Sequence, residues 1–315
     1  MKLVSIPANP APDGAVLSML KTPDGVSLRA VRWPPPPGRK GTVCLFQGRA
    51  EFIEKYFETV RDLHSRGFAV ATLDWRGQGL SERALSDRRK GYVRDFSQYD
   101  ADLATFMKEV VLPDCPPPYF ALAHSMGSSI LMRAAARNER WFDRMVFTAP
   151  MIQIARVPFG RFAPGLARLL RTFGFGAMYV PGGRTTVLHA QPFIGNILTS
   201  DPVRYARTVA TVEADPDVAI GSPTVAWASA AFKAMAQFRE PGYAGSIRQP
   251  ILIVAAGADK VTSTPAVEEF ATHLRAGSQL IIAGAQHEIM MEQDHFRQQF
   301  WAAFDAFVPG TPLFG

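Results

Sequence analysis

The sequence predicts an α/β fold: a mostly parallel, doubly wound sheet with an inserted helical cap. Three observations lead there. Near-continuous apolar runs of strand length recur along the chain, helical patterns separate them, and one long stretch, 151–247, breaks the alternation. Apolar runs of this kind suit strands buried on both faces of a parallel sheet. Strand–helix alternation implies βαβ crossovers.

The strand-like runs come in this order: SLRAVRW from Ser27, TVCLFQG from Thr42, AVATLDW from Ala69, YFALAHS from Tyr119, MVFTAP from Met145, ILIVAAG from Ile251 and QLIIAG from Gln279. Helical patterns cover 53–66, 99–111, 126–137, 266–274 and 296–307. In the first of them Tyr56, Phe57, Val60 and Leu63 share one face. The first dozen residues read as a tail, and prolines 34–37 as a rigid turn between strands. Residues 1–150 and 248–315 then form the core. Residues 151–247 form the cap, unless they hide two more βα units.

Bulk properties bound the function. A chain of 315 residues, 47% of them hydrophobic, can fill one large core with an insertion. The net charge of +6 is scattered and carries no aromatic-basic module, so nucleic acid is not an expected partner. Two cysteines, Cys44 and Cys115, read as reduced thiols. No signal-peptide h-region and no apolar run of membrane-spanning length is seen, so the cytoplasm is the expected compartment.

The chemistry centres on AHSMG, Ala123 to Gly127, between the strand YFALA and the helix SSILMRAAAR. A sharp strand–turn–helix elbow exposes a nucleophilic serine, here Ser125, and needs small residues two positions to either side. Gly127 meets that need, and Ala123 departs from the usual glycine by one methyl. A plain βα turn is the bland alternative. A serine nucleophile needs a base, and the base an orienting acid. Asp259 follows the strand ILIVAAG and His287 follows QLIIAG, both at C-terminal strand ends, where such sheets place their sites. Each alone could be an Asx turn or a satisfied loop histidine. Together the order Ser125, Asp259, His287 is far less ordinary. His64 and His273 read as surface or helix-end residues, His189 as a cap residue and His295 as structural. His124 is expected to point away from the nucleophile.

An acyl-transfer site also needs two backbone donors for the oxyanion. Met126, next after the nucleophile, supplies one. Arg49, in the Gln47-Gly48-Arg49 loop after TVCLF, supplies the other, and Gly48 lets that loop turn its amides inward. DWRGQGLSE, from Asp74, lacks the third glycine of a dinucleotide fingerprint. HEIMM, from His287, ends in Met where a zincin needs His. No cofactor and no metal is expected. In the cap, Arg161, Arg168 and Arg171 alternate with Phe162, Leu166, Leu169, Leu170 and Phe173. That basic amphipathic pattern fits either a lid meeting a lipid surface or a solvated helix packed on the core.

With these residues assembled, the chain resembles the lysophospholipase and monoacylglycerol lipase group of α/β hydrolases, and the bacterial lysophospholipase L2-like proteins in particular. The resemblance covers most of the core. It rests on FQGRAEFIEKYFETVRDLHSRGFAVATLDWRGQGLSE, AHSMGSSI, GADKVTS and GAQHEIMMEQD. It implies the α/β-hydrolase fold, a Ser125–His287–Asp259 triad, oxyanion amides on Arg49 and Met126, and a single-chain lipid ester as substrate. Many relatives carry His-Gly where this chain has Gln47-Gly48, a departure that bears on the loop's shape. A short-chain esterase, a thioesterase, a peptidase of the same fold, and a non-catalytic binding protein remain as alternatives.

Overall fold

The computed structural model describes residues 2–35, 40–187 and 192–309. His189 and prolines 36 and 37 lie outside the described residues.

Eight strands form one sheet: β1 (Val16–Lys21), β2 (Ser27–Trp33), β3 (Thr42–Phe46), β4 (Ala69–Leu73), β5 (Tyr119–His124), β6 (Arg144–Thr148), β7 (Ile251–Ala256) and β8 (Gly277–Ile282). Their spatial order is β1-β2-β4-β3-β5-β6-β7-β8. The β1–β2 and β2–β4 pairs are antiparallel and every other pair is parallel. Each expected strand is present, and β1 is an addition. Its sequence VLSMLK is largely exposed at the sheet edge, so it carries neither a continuous apolar run nor a clean alternation.

The helices are α1 (Phe57–Ser65), α2 (Ser97–Phe106), α3 (Leu112–Asp114), α4 (Met126–Ala136), α5 (Ala163–Thr172), α6 (Pro202–Ala214), α7 (Val225–Phe238), α8 (Tyr243–Ser246), α9 (Thr264–Thr272) and α10 (Asp294–Phe307). Alternate residues of each central strand feed two cores. On β3, Cys44 and Phe46 join Tyr99, Leu103 and Phe106 of α2 and Ile130 of α4. Val43 and Leu45 instead meet Phe57, Val60 and Leu63 of α1 and Phe300 and Phe304 of α10. Both cysteines are free and buried. Burial pushes the Cys115 thiol up to about 11, against the pull of Arg32, so it stays protonated and inert.

Two expectations need correcting. The opening residues are not a loose tail. Val4 and Asn9 are buried; the Val4 amide donates to Glu54 Oε1 (3.1 Å) and Asn9 Nδ2 to the Glu54 carbonyl (2.8 Å). Single polar anchors hold this stretch, which no periodicity would reveal. The helix α5 is not one apolar face opposite arginines. Ala163, Leu166, Ala167 and Leu170 turn inward toward α7, while Phe162, Leu169 and Phe173 turn outward with the arginines and are 68%, 54% and 70% exposed.

Between β6 and β7 the chain leaves the sheet and runs through α5 to α8. A polar joint ties this segment to the core: Arg204 of α6 donates twice to Glu58 of α1 (2.9 and 2.7 Å), and Arg207 and Arg297 reach the same carboxylate (2.5 and 3.1 Å).

Candidate active site

Sheet order fixes where a site can form. From β3 the chain runs to β4 on one side, and β5 pairs on the other. A crevice opens where the order reverses, beyond the C-terminal ends of β3 and β5. The Gln47–Gly48–Arg49 loop leaves one of those ends and Ser125 the other.

Ser125 lies between β5 and α4 with φ 49° and ψ −112°. A non-glycine residue there is strained by roughly 1–3 kcal/mol and persists only where its neighbours hold it. Its amide donates to the Thr148 carbonyl (3.0 Å), and its carbonyl accepts from the Met151 amide (3.1 Å). Gly127 shows why the elbow needs a small residue: a Cβ there would sit 2.7 Å from the Phe46 carbonyl and 2.8 Å from that of Gln47. Ala123 is accommodated, wholly buried, and its carbonyl accepts from Ser128 Oγ (2.9 Å).

His287 Nε2 lies 3.1 Å from Ser125 Oγ, and its Nδ1 lies 2.8 Å from Asp259 Oδ2. The Asp259 carboxylate also accepts from the amides of Val261 (2.7 Å) and Thr262 (2.9 Å) and from Thr262 Oγ1 (2.7 Å). Burial alone would raise that carboxyl. The His287 ring and the Thr262 donors outweigh it and hold the group below its ordinary value, so it stays ionised. A serine, an imidazole and an ionised carboxylate in this chain of contacts can activate a hydroxyl for attack on a carbonyl.

The Gly48 loop closes over the serine: a Cβ on Gly48 would meet that of Ser125 at 3.2 Å. Among the described residues, neither the Arg49 nor the Met126 amide has a hydrogen-bond partner, so both remain available to a ligand oxygen. The Gly48 amide is instead taken by Glu51 Oε2 (2.5 Å). Gln47 turns away from the crevice, its Nε2 donating to Thr72 Oγ1 (3.1 Å).

His124 does not point away. Its ring centroid lies 4.7 Å from that of His287, and its Nδ1 is 3.1 Å from Thr148 Oγ1. Burial pushes its pKa down to about 4, against the pull of Glu51, so it sits beside His287 as a neutral ring. His124 follows the β5 alternation onto the face that carries Phe120 and Leu122, and Ala285 and Ile289, which flank His287, pack on that same face.

Several supporting residues escaped the sequence reading. Lys55 Nζ bridges Glu51 Oε1 (2.7 Å) and Glu288 Oε1 (2.5 Å), joining the Gly48 loop to the neighbour of His287. Tyr56 donates to Glu51 Oε2 (2.7 Å). Gln78 donates to the carbonyls of Gly48 (2.8 Å) and Glu51 (3.0 Å) and accepts from the Ala50 amide (3.2 Å). The signals were present as charged residues inside the helical pattern FIEKYF and as the glycine-flanked Gln78 of DWRGQGLSE. The DWRGQGLSE turn therefore pins the Gly48 loop through Gln78.

Residues 37–294 match the family model described as serine aminopeptidase, S33. The chain is 34% identical to lysophospholipase L2 of Escherichia coli strain K12 over 267 residues, which covers 81% of this chain and 76% of that protein. It is 27% identical to a probable lysophospholipase L2 of Haemophilus influenzae, covering 84% of this chain and 83% of that one. A soluble variant of monoglyceride lipase from Saccharomyces cerevisiae, solved with a substrate analog, superposes with a TM-score of 0.73 at 20% identity and covers 93% of each chain. The chain belongs to this family of α/β hydrolases, as a lysophospholipase- and monoglyceride-lipase-like member, and is a serine hydrolase.

Proposed function

We propose that this α/β hydrolase cleaves single-chain lipid esters, lysophospholipid or monoacylglycerol, through an acyl-enzyme on Ser125. One observation carries the substrate class. The crevice holding Ser125 and His287 shares Ile154, Arg156, Pro223 and Trp227 with a cavity of about 210 Å³ between α5 and α7. That neighbour is walled by Phe159, Leu166, Leu170, Ala231 and Met235, a lining suited to an alkyl chain. The names of the relatives point to the same class of ester. In this reading residues 151–247 act as a cap over the acyl chain. The outward Phe162, Leu169 and Phe173, ringed by Arg161, Arg168 and Arg171, give that cap a peripheral contact with lipid. No helix among the described residues is long and apolar enough to cross a membrane.

The mechanism follows from the contacts. His287 Nε2 takes the Ser125 proton as Oγ attacks the ester carbonyl. Asp259 accepts from Nδ1–H and stabilises the imidazolium. The amides of Arg49 and Met126 donate to the oxyanion. The alcohol leaves with the proton from His287, and water activated by the same imidazole releases the fatty acid. Cleavage of peptides from an amino end would need a carboxylate able to hold the substrate ammonium. Glu51 and Glu288 are the crevice's carboxylates beside the triad, and Lys55 already engages both.

A fluorophosphonate probe tests the assignment. It is expected to label the native protein and to leave folded Ser125→Ala untouched, with hydrolysis of lauroyl lysophospholipid or monolaurin falling by about 10⁴-fold or more in that variant. A folded native protein that takes no label and cleaves no ester defeats the proposal.

A further inference from the structure

The side chain of Arg49 has a place of its own in the crevice, apart from the amide assigned above. It lines the Ser125 cavity together with Arg156 and Lys260. Its Nη2 donates to the Gly221 carbonyl (2.8 Å), and its guanidinium lies 5.0 Å from the centre of the Trp227 ring. Neither partner carries a negative charge. Its Nε is buried with no hydrogen-bond partner, and no carboxylate pairs with the guanidinium among the described residues. Burial lowers its pKa only to about 10, so it remains a cation at neutral pH.

The carboxylates nearby do not neutralise it. Glu51 and Glu288 share Lys55, and Asp259 is committed to His287 and Thr262. A guanidinium removed from bulk water normally gains a carboxylate or phosphate, because its planar fork matches two oxygens at once. Here the fork is fixed by a ring face and a carbonyl and is left without that anion. Arg156 and Lys260, both exposed at the rim, add charge of the same sign.

We propose that Arg49, with Arg156 and Lys260 at the rim, forms an anion subsite that holds the phosphate of a phosphate-bearing lipid ester. This rests on the lipid-esterase reading and narrows it: the preferred substrate is a lysophospholipid, and a neutral monoacylglycerol is a poorer one. Arg49 therefore has two separable parts, a main-chain donor to the oxyanion and a side chain that selects the headgroup.

The test is binding, so that it stands apart from hydrolysis. Ser125→Ala protein is titrated calorimetrically with dodecyl phosphate, with the neutral ether 1-O-dodecylglycerol and with inorganic phosphate. Dodecyl phosphate is expected to bind about tenfold or more tightly than the neutral ether, with affinity falling as salt rises. Arg49→Met is expected to bring the two lipids to within about threefold, and Arg49→Lys to restore part of the preference. Should Arg49→Met fold poorly, the exposed pair Arg156→Gln/Lys260→Gln carries the test, with a several-fold loss expected for dodecyl phosphate alone. Equal affinity for the two lipids overturns the subsite. Inorganic phosphate binding as tightly as dodecyl phosphate overturns the lipid assignment in favour of free phosphate. A protein that takes no fluorophosphonate label yet shows the Arg49-dependent preference refutes the esterase reading and leaves the anion subsite standing.

Discussion

Replacing Lys55 with Met strikes the joint between the two halves of the crevice. Its ammonium is buried between Glu51 and Glu288, themselves 3% and 5% exposed. Removing one member of a buried ionic cluster costs about 3–5 kcal/mol, because the two buried carboxylates lose the cation they share. At roughly 2–4 °C per kcal/mol for a large domain, the melting temperature should fall by about 6–20 °C at pH 8. The sign of the pH dependence follows from Glu51. In the native protein burial raises its carboxyl, but Lys55 outweighs burial and holds it below its ordinary value. That stabilisation is present above the usual carboxylate range and lost as pH falls through the lowered value. In Lys55→Met, burial and the charge of Glu288 remain, so the same carboxyl rises above its ordinary value. The deficit against wild type should be largest at pH 8 and shrink toward pH 4. Turnover should fall about tenfold, since Glu51 also fixes the Gly48 amide. Thermal melts and urea unfolding of wild type, Lys55→Met and Lys55→Met/Glu51→Gln at both pH values read the stability, and ester hydrolysis reads the turnover. The double variant should regain stability, because it removes one of the two buried carboxylates that Lys55 served. A loss under 1 kcal/mol at pH 8, or a double variant weaker than the single, would refute the reasoning.

Gly127→Ala puts a methyl against two carbonyl oxygens of the β3–loop junction, so the Gly48 loop must shift. Hydrolysis of p-nitrophenyl butyrate should fall more than tenfold, with a stability loss of about 1–3 kcal/mol in the same preparation. Glu58 is held at about 2 rather than its ordinary 4.5, by Arg204, Arg297 and Arg207 against the opposing effect of burial. It therefore contributes roughly 3 kcal/mol above pH 4.5, lost as pH falls toward 2. Thermal melts should show Glu58→Gln about 2–3 kcal/mol less stable at pH 7, with the gap to wild type closing in acid.

The juxtaposition of Ser125, Asp259 and His287 was legible because chain order and strand ends are local features. Ser125, Asp259 and His287 each follow a run whose strand character shows in its own residues, and the parallel sheet then brings three distant strand ends to one edge. What holds the crevice in shape was not legible, because it is built from single pairs far apart in sequence. Gln78 holds the Gly48 loop from about thirty positions away, and Lys55 reaches Glu288 from the opposite end of the chain. In isolation Lys55 reads as a solvated charge on a helix, and its ion pair with Glu288 in the loop after β8 exists only in the assembled fold. His124 was misplaced for a related reason. Strand alternation puts its ring on the face of Phe120 and Leu122, but only the packing of the loop after β8 on that face brings His287 beside it. The α5 helix shows the same limit on periodicity. Its arginines and apolar residues could be read as two faces, yet α7 takes one apolar stripe and leaves Phe162, Leu169 and Phe173 outside. Arg49 joins both levels. Its amide is placed by the local glycine turn, whereas its guanidinium is placed by Trp227 and Gly221, far along the chain.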